Sequence, residues 1–552
     1  MNLSTGRSAF LALLKDEGVT HLFGNPGTTE LPIMHALKEH PDLGYVLGLQ
    51  EALVVAMADG FSRASGRLVA CNVHVAPGLG NAMGSLFNAS FTGTPMIVTA
   101  GQQEQGHGLT EPLLYAPLLP IAEPLVKWAV EVTRLEDLPR IVRRAAKVAM
   151  TPPTGPVFIS LPGDILNAEA GIELGASTRI ETRTRPADDL LDRLAQRLLR
   201  AQRPVMVCGD EVVKSDALAA AAALAEALGC PAYQQSAPYG AHFLSEHVCY
   251  AGSLSRDQRQ VRDLLAKFDL MIVLGADPLR MSVWSETEPL PPDLPVVHLG
   301  LLDWDMGKNF AVELAVRADL RETLEALTPR LIGEGGAALA ARAKAALARL
   351  EKTNWSAKRK QLGQRLARNA GRRPIDYDWL SLQIADALPR DAVIVNEGLT
   401  SARHLTDLVA YRDRYGFHAL ASGGIGWGLP AAVGVALAQA PRPVCCYSGD
   451  GSAMYSIQAL WTAAHHRLPI TYVIANNGGY RIIKQRLLSF HGNDHYIGMD
   501  FADPAIDFAA LAKAMGVPAE TIADPEAVPA ALRRAFSTPG PKLLDVAVDG
   551  RV

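Results

Sequence analysis

The sequence predicts an α/β protein built from three doubly wound parallel-sheet domains. Short apolar runs alternate with helical stretches from end to end, the rhythm of βαβ units. Most of those runs are continuous rather than alternating, as strands covered on both faces must be. Two polar stretches divide the 552 residues into three units, in keeping with roughly 150 residues per domain.

In the first unit, residues 1–175, the expected strands include Val46–Leu49, Leu68–Val73, Met96–Thr99 and Val157–Leu161. Residues 174–189 are polar, lack apolar periodicity and read as a linker. The second unit, 188–335, carries strands at Val205–Cys208 and Leu270–Leu274, with a packing helix over the alanine-rich Ala217–Leu228. Residues 330–375 are rich in Ala, Arg and Lys, and predict a surface helix followed by a connector ending at Pro374. The third unit, 370–552, has strands at Val393–Val395, Val444–Tyr447 and Thr471–Ala475, with a helix over Ser456–Ala464. The first and third units share a similar rhythm.

Composition excludes several function classes. Apolar residues make up 49% and charged residues 20%, so disorder is excluded. Fifty-three basic against fifty-seven acidic residues gives a charge of −4, which argues against nucleic acid as a partner. Six scattered cysteines without a CxxC pair predict reduced core thiols rather than a metal cluster. The apolar stretch Phe10–Leu14 is short and ends at Lys15-Asp16-Glu17, and no run reaches the roughly 18 residues of a membrane span. We expect a cytoplasmic protein with no membrane partner.

The strongest local signal is Gly449-Asp450-Gly451-Ser452, followed by Asn476-Asn477-Gly478. It lies where one apolar strand ends, and Asn477 follows the end of the next. Open α/β sheets bind ligands at the carboxyl ends of their strands. Gly449 and Gly451 allow close backbone approach to a phosphate, and a following helix offers free N–H groups. Asp450 and Asn477, with a carbonyl near Gly479, form an oxygen set suited to Mg²⁺ shared with a phosphate. The loops Gly424–Gly428 and Gly78–Gly84 do not complete a dinucleotide fingerprint, and no P-loop is present.

A second signal is Glu51, the single charge in GYVLGLQEALVVAMA, residues 44–58. A carboxyl in such a run is costly to ionise without a partner, and such acids cluster at functional sites. His74 ends an apolar strand before a glycine loop, a placement that favours acid/base work over core packing. His465-His466 falls in a helix and reads as structural.

The segments FGNPGTTELP (23–32), LGLQEALVVAMADGFSRASG (47–66), NVHVAPGLGNAMGSLFNA (72–89), ASGGIGWGLPAAVGVALA (421–438) and CYSGDGSAMYSIQALWTAA (446–464) carry a resemblance. The chain resembles, over essentially its whole length, the thiamine-diphosphate-dependent 2-keto-acid decarboxylase and acetolactate synthase superfamily, and within it the benzoylformate decarboxylase branch. The resemblance implies a pyrimidine-binding domain over 1–175, a middle domain over 188–335 and a diphosphate- and Mg²⁺-binding domain over 370–552. It gives Glu51 the task of bonding the pyrimidine N1′ of thiamine diphosphate, and makes Asp450, Asn477 and the Gly479 carbonyl the Mg²⁺ ligands. Ile425 would prop the bent cofactor, and the Gly423 carbonyl would accept from the aminopyrimidine. Gly449, Gly451, Ser452, Tyr455 and Thr400 fall at diphosphate positions. Asn25, Pro26, Gly27 and Thr28 form a loop facing the cofactor, with Thr28 where the branch carries serine. His74 matches its active-site histidine, and His107 lies in a loop beside the pocket. A homodimer is implied as the minimal unit and a homotetramer as the assembly.

Two departures bear on substrate. Ser282 stands where the branch has a second catalytic histidine. Arg481, Ile482 and Arg486 lie in a segment that places cations where relatives have small or aromatic residues, which would suit a substrate with a second anion. The expected reaction is decarboxylation of a small 2-keto acid to an aldehyde. The alternative is carboligation or lyase chemistry on the same cofactor, like that of acetolactate synthase or benzaldehyde lyase. A nicotinamide oxidoreductase is disfavoured by the GDG…NN pair, and a non-catalytic paralogue by Glu51.

Overall fold

The computed structural model describes residues 3–552. Three six-stranded sheets, each wholly parallel, follow one another along the chain. Across the first, the strands run Gly44–Leu47, His21–Gly24, Val69–Val73, Met96–Gln102, Val157–Pro162 and Ala129–Glu131. Across the third they run Phe417–Ala419, Val393–Glu397, Val444–Gly449, Ile470–Asn476, Lys542–Ala547 and Ala519–Ile522. In both sheets the chain order is second, first, third, fourth, sixth, fifth, so the shared rhythm reflects one topology used twice. The middle sheet runs Tyr250–Ser253, Ala232–Gln234, Pro204–Cys208, Leu270–Leu274, Val296–Gly300 and Leu314–Arg317, with the order of a dinucleotide-binding sheet.

Continuous apolar runs became buried central strands: every residue of Val69–Val73, Val157–Pro162 and Leu270–Leu274 is buried. The strand expected at Val46–Leu49 sits two residues earlier, at Gly44–Leu47. Gln50 follows it as a helix cap, its side chain accepting from Ala52 N at 2.7 Å. After Gly449 a short helix starts at once, at Asp450–Met454, and the helix expected over Ser456–Ala464 covers Ala459–His465. The alanine-rich linker stretch forms the far half of a helix over Leu320–Leu350, kinked at Gly336, and a second helix over Trp355–Leu366. All six cysteines are buried and unpaired. Among the described residues, no helix is long and apolar enough to cross a membrane.

The first and third sheets are joined by one helix crossing. Glu51–Ser65 lies against Gly428–Gln439 so closely that a Cβ on Gly434 would sit 1.9 Å from the Met57 carbonyl. Glycine is required there because backbone meets backbone. Val54, Met57 and Phe61 share one core with Trp427, Val433 and Tyr472. This crossing sets how the strand ends of the two domains face each other.

Candidate active site

The Asp450 carboxylate is buried at the end of Val444–Gly449 and wrapped by backbone donors. Oδ2 accepts from Asn477 N at 3.1 Å, Gly478 N at 2.7 Å and Gly479 N at 3.1 Å, and Oδ1 from Gly451 N at 2.9 Å. Parallel pairing of Gly449 with Ala475 brings these segments, 27 residues apart, to one sheet edge. Burial pushes the Asp450 carboxyl up, against the opposing pull of those N–H groups. A cation beside it would offset that desolvation. Among the described residues, Asn477 Oδ1 and Ser452 Oγ are buried side-chain oxygens without a hydrogen-bond partner. Orphaned oxygens beside a buried carboxylate fit a hard cation and a phosphate. Among the described residues no group of three His, Cys, Asp or Glu is placed to hold a metal; the set at Asp450 is a single carboxylate with an amide oxygen.

The turn Ala421–Gly428 passes above this edge. The Gly423 carbonyl accepts from Ile425 N at 3.0 Å and retains a second lone pair. Gly426 packs against Tyr455, which is itself exposed, and Thr400 is half-buried in the segment after Glu397.

The first domain contributes a second cluster. Glu51 opens its helix, is buried, and accepts from Asn81 Nδ2 through Oε2 at 3.1 Å. His74 follows the strand Val69–Val73 as the cap of the next helix, and its Nδ1 lies 2.8 Å from Glu30 Oε2 and 3.2 Å from Thr29 Oγ1. The Glu30 carboxylate is fully buried and also accepts from Gly27 N and Gly101 N, each at 2.9 Å. The imidazole lies flat against Gly27, where a Cβ would fall 2.1 Å from Nδ1, so no side chain is tolerated there. Asn25 and Gly27 are half-buried in this loop, whereas Pro26 and Thr28 are exposed. Glu30 and Asn81 escaped sequence reasoning. The one signal for Glu30 was an acid three residues after Gly27, the spacing of a capping box.

The residues tied to substrate choice are dispersed. His107 lies exposed in a short helical turn at Gln105–Thr110. Ser282 is exposed and lines a cavity of about 1040 Å³ between the middle domain and its neighbours, with Tyr239 and Arg280. Arg481 is turned inward: Nε donates to the Arg551 carbonyl at 3.0 Å and Nη2 to Tyr377 Oη at 2.7 Å, with the guanidinium over the Tyr377 ring. Its charge is thereby met within its own domain. Ile482 is half-buried on the same helix, Lys484 pairs with Asp500, and Arg486 remains exposed beside Phe490.

Three family models match the chain in order. They describe the N-terminal thiamine pyrophosphate binding domain over residues 4–112, the central domain over 191–327 and the C-terminal binding domain over 400–546 of thiamine pyrophosphate enzymes. Benzoylformate decarboxylase of Pseudomonas aeruginosa is 35% identical, with 99% of each chain covered. The acetolactate synthase isozyme 1 large subunit of Escherichia coli is 26% identical over 99% of this chain and 94% of its own length. Among solved structures, the thiamine diphosphate-dependent 4-hydroxybenzoylformate decarboxylase of Rhodococcus jostii superposes with a TM-score of 0.85 at 30% identity, covering 99% of both chains.

Proposed function

The chain belongs to the thiamine pyrophosphate enzyme family, and on that premise we propose that it removes CO₂ from a 2-keto acid and releases the aldehyde. Thiamine diphosphate, when bound, supplies a thiazolium that stores the electrons left by the departing CO₂. In this reading Asp450, Asn477 Oδ1 and the Gly479 carbonyl hold Mg²⁺, and Ser452, Thr400 and Tyr455 face the diphosphate with the backbone of Gly449 and Gly451. The Gly423 carbonyl and Ile425 hold the aminopyrimidine end. Glu51 would bond the pyrimidine N1′ and so would favour release of the C2 proton. His74 exchanges a proton with the substrate through Nε2, and the Thr28 hydroxyl orients the carbonyl and carboxylate end, on the loop of Asn25, Pro26 and Gly27.

The observation that best supports a decarboxylase is the Glu30–His74 pair, an imidazole oriented by a buried carboxylate and left with one free nitrogen. The test is direct. Protein stripped with EDTA and dialysed is assayed for CO₂ and aldehyde with aromatic, branched and dicarboxylic 2-keto acids. Activity should return only with thiamine diphosphate plus Mg²⁺. Aldehyde matching CO₂ mole for mole supports decarboxylation, and CO₂ without free aldehyde refutes it.

Ser282 favours a second reading. It offers no imidazole for protonating the carbon that has lost CO₂, which would leave time for capture by an aldehyde acceptor. Carboligation on the same scaffold follows, and adding an aldehyde to the assay separates the two.

We further propose that the working unit is a dimer, assembled into a tetramer, in which Glu51 of one copy and Asp450 of another share a cofactor. Large exposed apolar side chains in both domains, among them Leu109 at 96%, Leu113 at 98% and Ile497 at 88% exposure, support an interface that a second copy would cover.

A further inference from the structure

Two fully buried carboxylates, one from the first domain and one from the third, hold the turn Ala421–Gly428. The first is Glu397, at the end of Val393–Glu397. Its Oε1 accepts from Gly426 N at 2.7 Å and its Oε2 from Gly428 N at 2.6 Å, so one carboxylate ties down both sides of Trp427. The second is Asp59, which belongs to the first domain. Its Oδ2 accepts from Trp427 Nε1 at 2.6 Å and from Asn88 Nδ2 at 3.0 Å, and Thr94 donates to Oδ1. The same Asn88 turns its Oδ1 to the start of the turn, accepting from Ala421 N at 3.3 Å, Ser422 N at 3.2 Å and Ser422 Oγ at 3.1 Å. The Ser422 hydroxyl oxygen in turn accepts from Gly424 N at 3.2 Å.

The side-chain anchors of the turn therefore lead to these two acids, directly or through Asn88, and Gly423 and Ile425, bonded to each other, are the residues left between the anchors. A buried carboxylate without donors is costly, so each acid demands the N–H groups that face it and holds them in place. From this geometry we infer that Glu397 and the Asp59–Asn88 pair are positioning residues for the aminopyrimidine end of the cofactor, with the first domain setting the shape of a binding turn in the third. The inference rests on the reading that Gly423 and Ile425 hold that ring.

The carboxylates grip one end of the site only, and this makes a test. Full-length Glu397→Gln and Asn88→Ala proteins, stripped of cofactor, are titrated by calorimetry at pH 8 with thiamine diphosphate plus Mg²⁺, and separately with inorganic pyrophosphate plus Mg²⁺. Thiamine diphosphate should bind about tenfold or more weakly in each variant, because a hydrogen bond to an ionised group is lost. Pyrophosphate should bind as it does to the wild type, since the Asp450 edge is untouched. Equal weakening of both probes, or unchanged thiamine diphosphate affinity in a variant that unfolds cooperatively, overturns the inference. Should Glu397→Gln fail to fold, Trp427→Phe, which removes the indole donor to Asp59 together with part of the ring, serves the same comparison between the two probes. Wild-type protein that binds pyrophosphate no less tightly than thiamine diphosphate would instead overturn the assignment of Gly423 and Ile425.

Discussion

Glu30 Oε2 and His74 Nδ1 stand 2.8 Å apart, joined across 44 residues of sequence at the carboxyl edge of the first sheet. A carboxylate that accepts at Nδ1 keeps the proton on that nitrogen and leaves Nε2 as the reactive atom. The carboxylate is in turn held by Gly27 N and Gly101 N, so it cannot rotate away.

Glu30→Gln tests this arrangement. An amide can present N–H₂ to Nδ1, which reverses the ring's tautomer. Turnover should fall about a hundredfold, the lower end of what a positioned acid/base contributes. Thiamine diphosphate affinity should be unchanged. Steady-state kinetics with calorimetry checks both, and an unaltered kcat would remove His74 from the proton chemistry.

Glu51→Gln keeps the bond with Asn81 within reach but cannot support N1′ in the same way. The protein should fold and bind cofactor while losing most exchange of the C2 proton for deuterium, read by NMR. Mixing it with inactive Asp450→Ala protein under proven subunit exchange should restore part of the activity if two copies share each site. No recovery would count against the dimeric centre.

Burial raises the Glu397 carboxyl from its ordinary 4.5 to about 7, partly opposed by the Gly428 and Gly426 N–H groups. The sign follows. Between about pH 4.5 and 7 the folded chain holds a proton that the unfolded chain has released. Apoprotein stability should therefore decline as pH rises through that window and level off above it, by an amount on the order of 3 kcal/mol from this group. Glu397→Gln should flatten the decline, measured by denaturant unfolding at pH 5, 6, 7 and 8. An unchanged slope would assign the pH dependence to other groups.

Substrate choice is testable at two positions. Ser282→His should raise aldehyde release relative to carboligation, and Arg486→Gln should weaken turnover of 2-keto acids with a second anion. A charge-assisted hydrogen bond contributes roughly 1.5–3 kcal/mol, or about ten- to a hundredfold in kcat/KM. Efficient benzoylformate turnover that neither change alters would make both residues bystanders.

Local pattern alone located the parallel strands, the Asp450 and Asn477 edge and the isolated Glu51. The reason is that strand burial and turn chemistry are written in residues close together in sequence. Short continuous apolar runs rich in β-branched residues suit covered strands, and acid or amide groups at the carboxyl ends of neighbouring parallel strands meet at one edge. The partners of those groups lie far away along the chain. Asp59 reaches Trp427 across 368 residues, Glu397 reaches Gly426 and Gly428 across a strand and a turn, and Glu30 meets His74 between neighbouring strands. No periodicity in the chain marks these acids, because each looks like an ordinary helix, strand-end or turn residue until packing removes its water. Arg481 shows the converse: its neighbours in sequence suggested a free cation, and only the fold brought Tyr377 and the Arg551 carbonyl beneath it. Spacing along the chain determines which groups reach a sheet edge. Tertiary packing decides which charge is buried, which is paired and which remains free to act, because desolvation depends on every element that closes over a side chain.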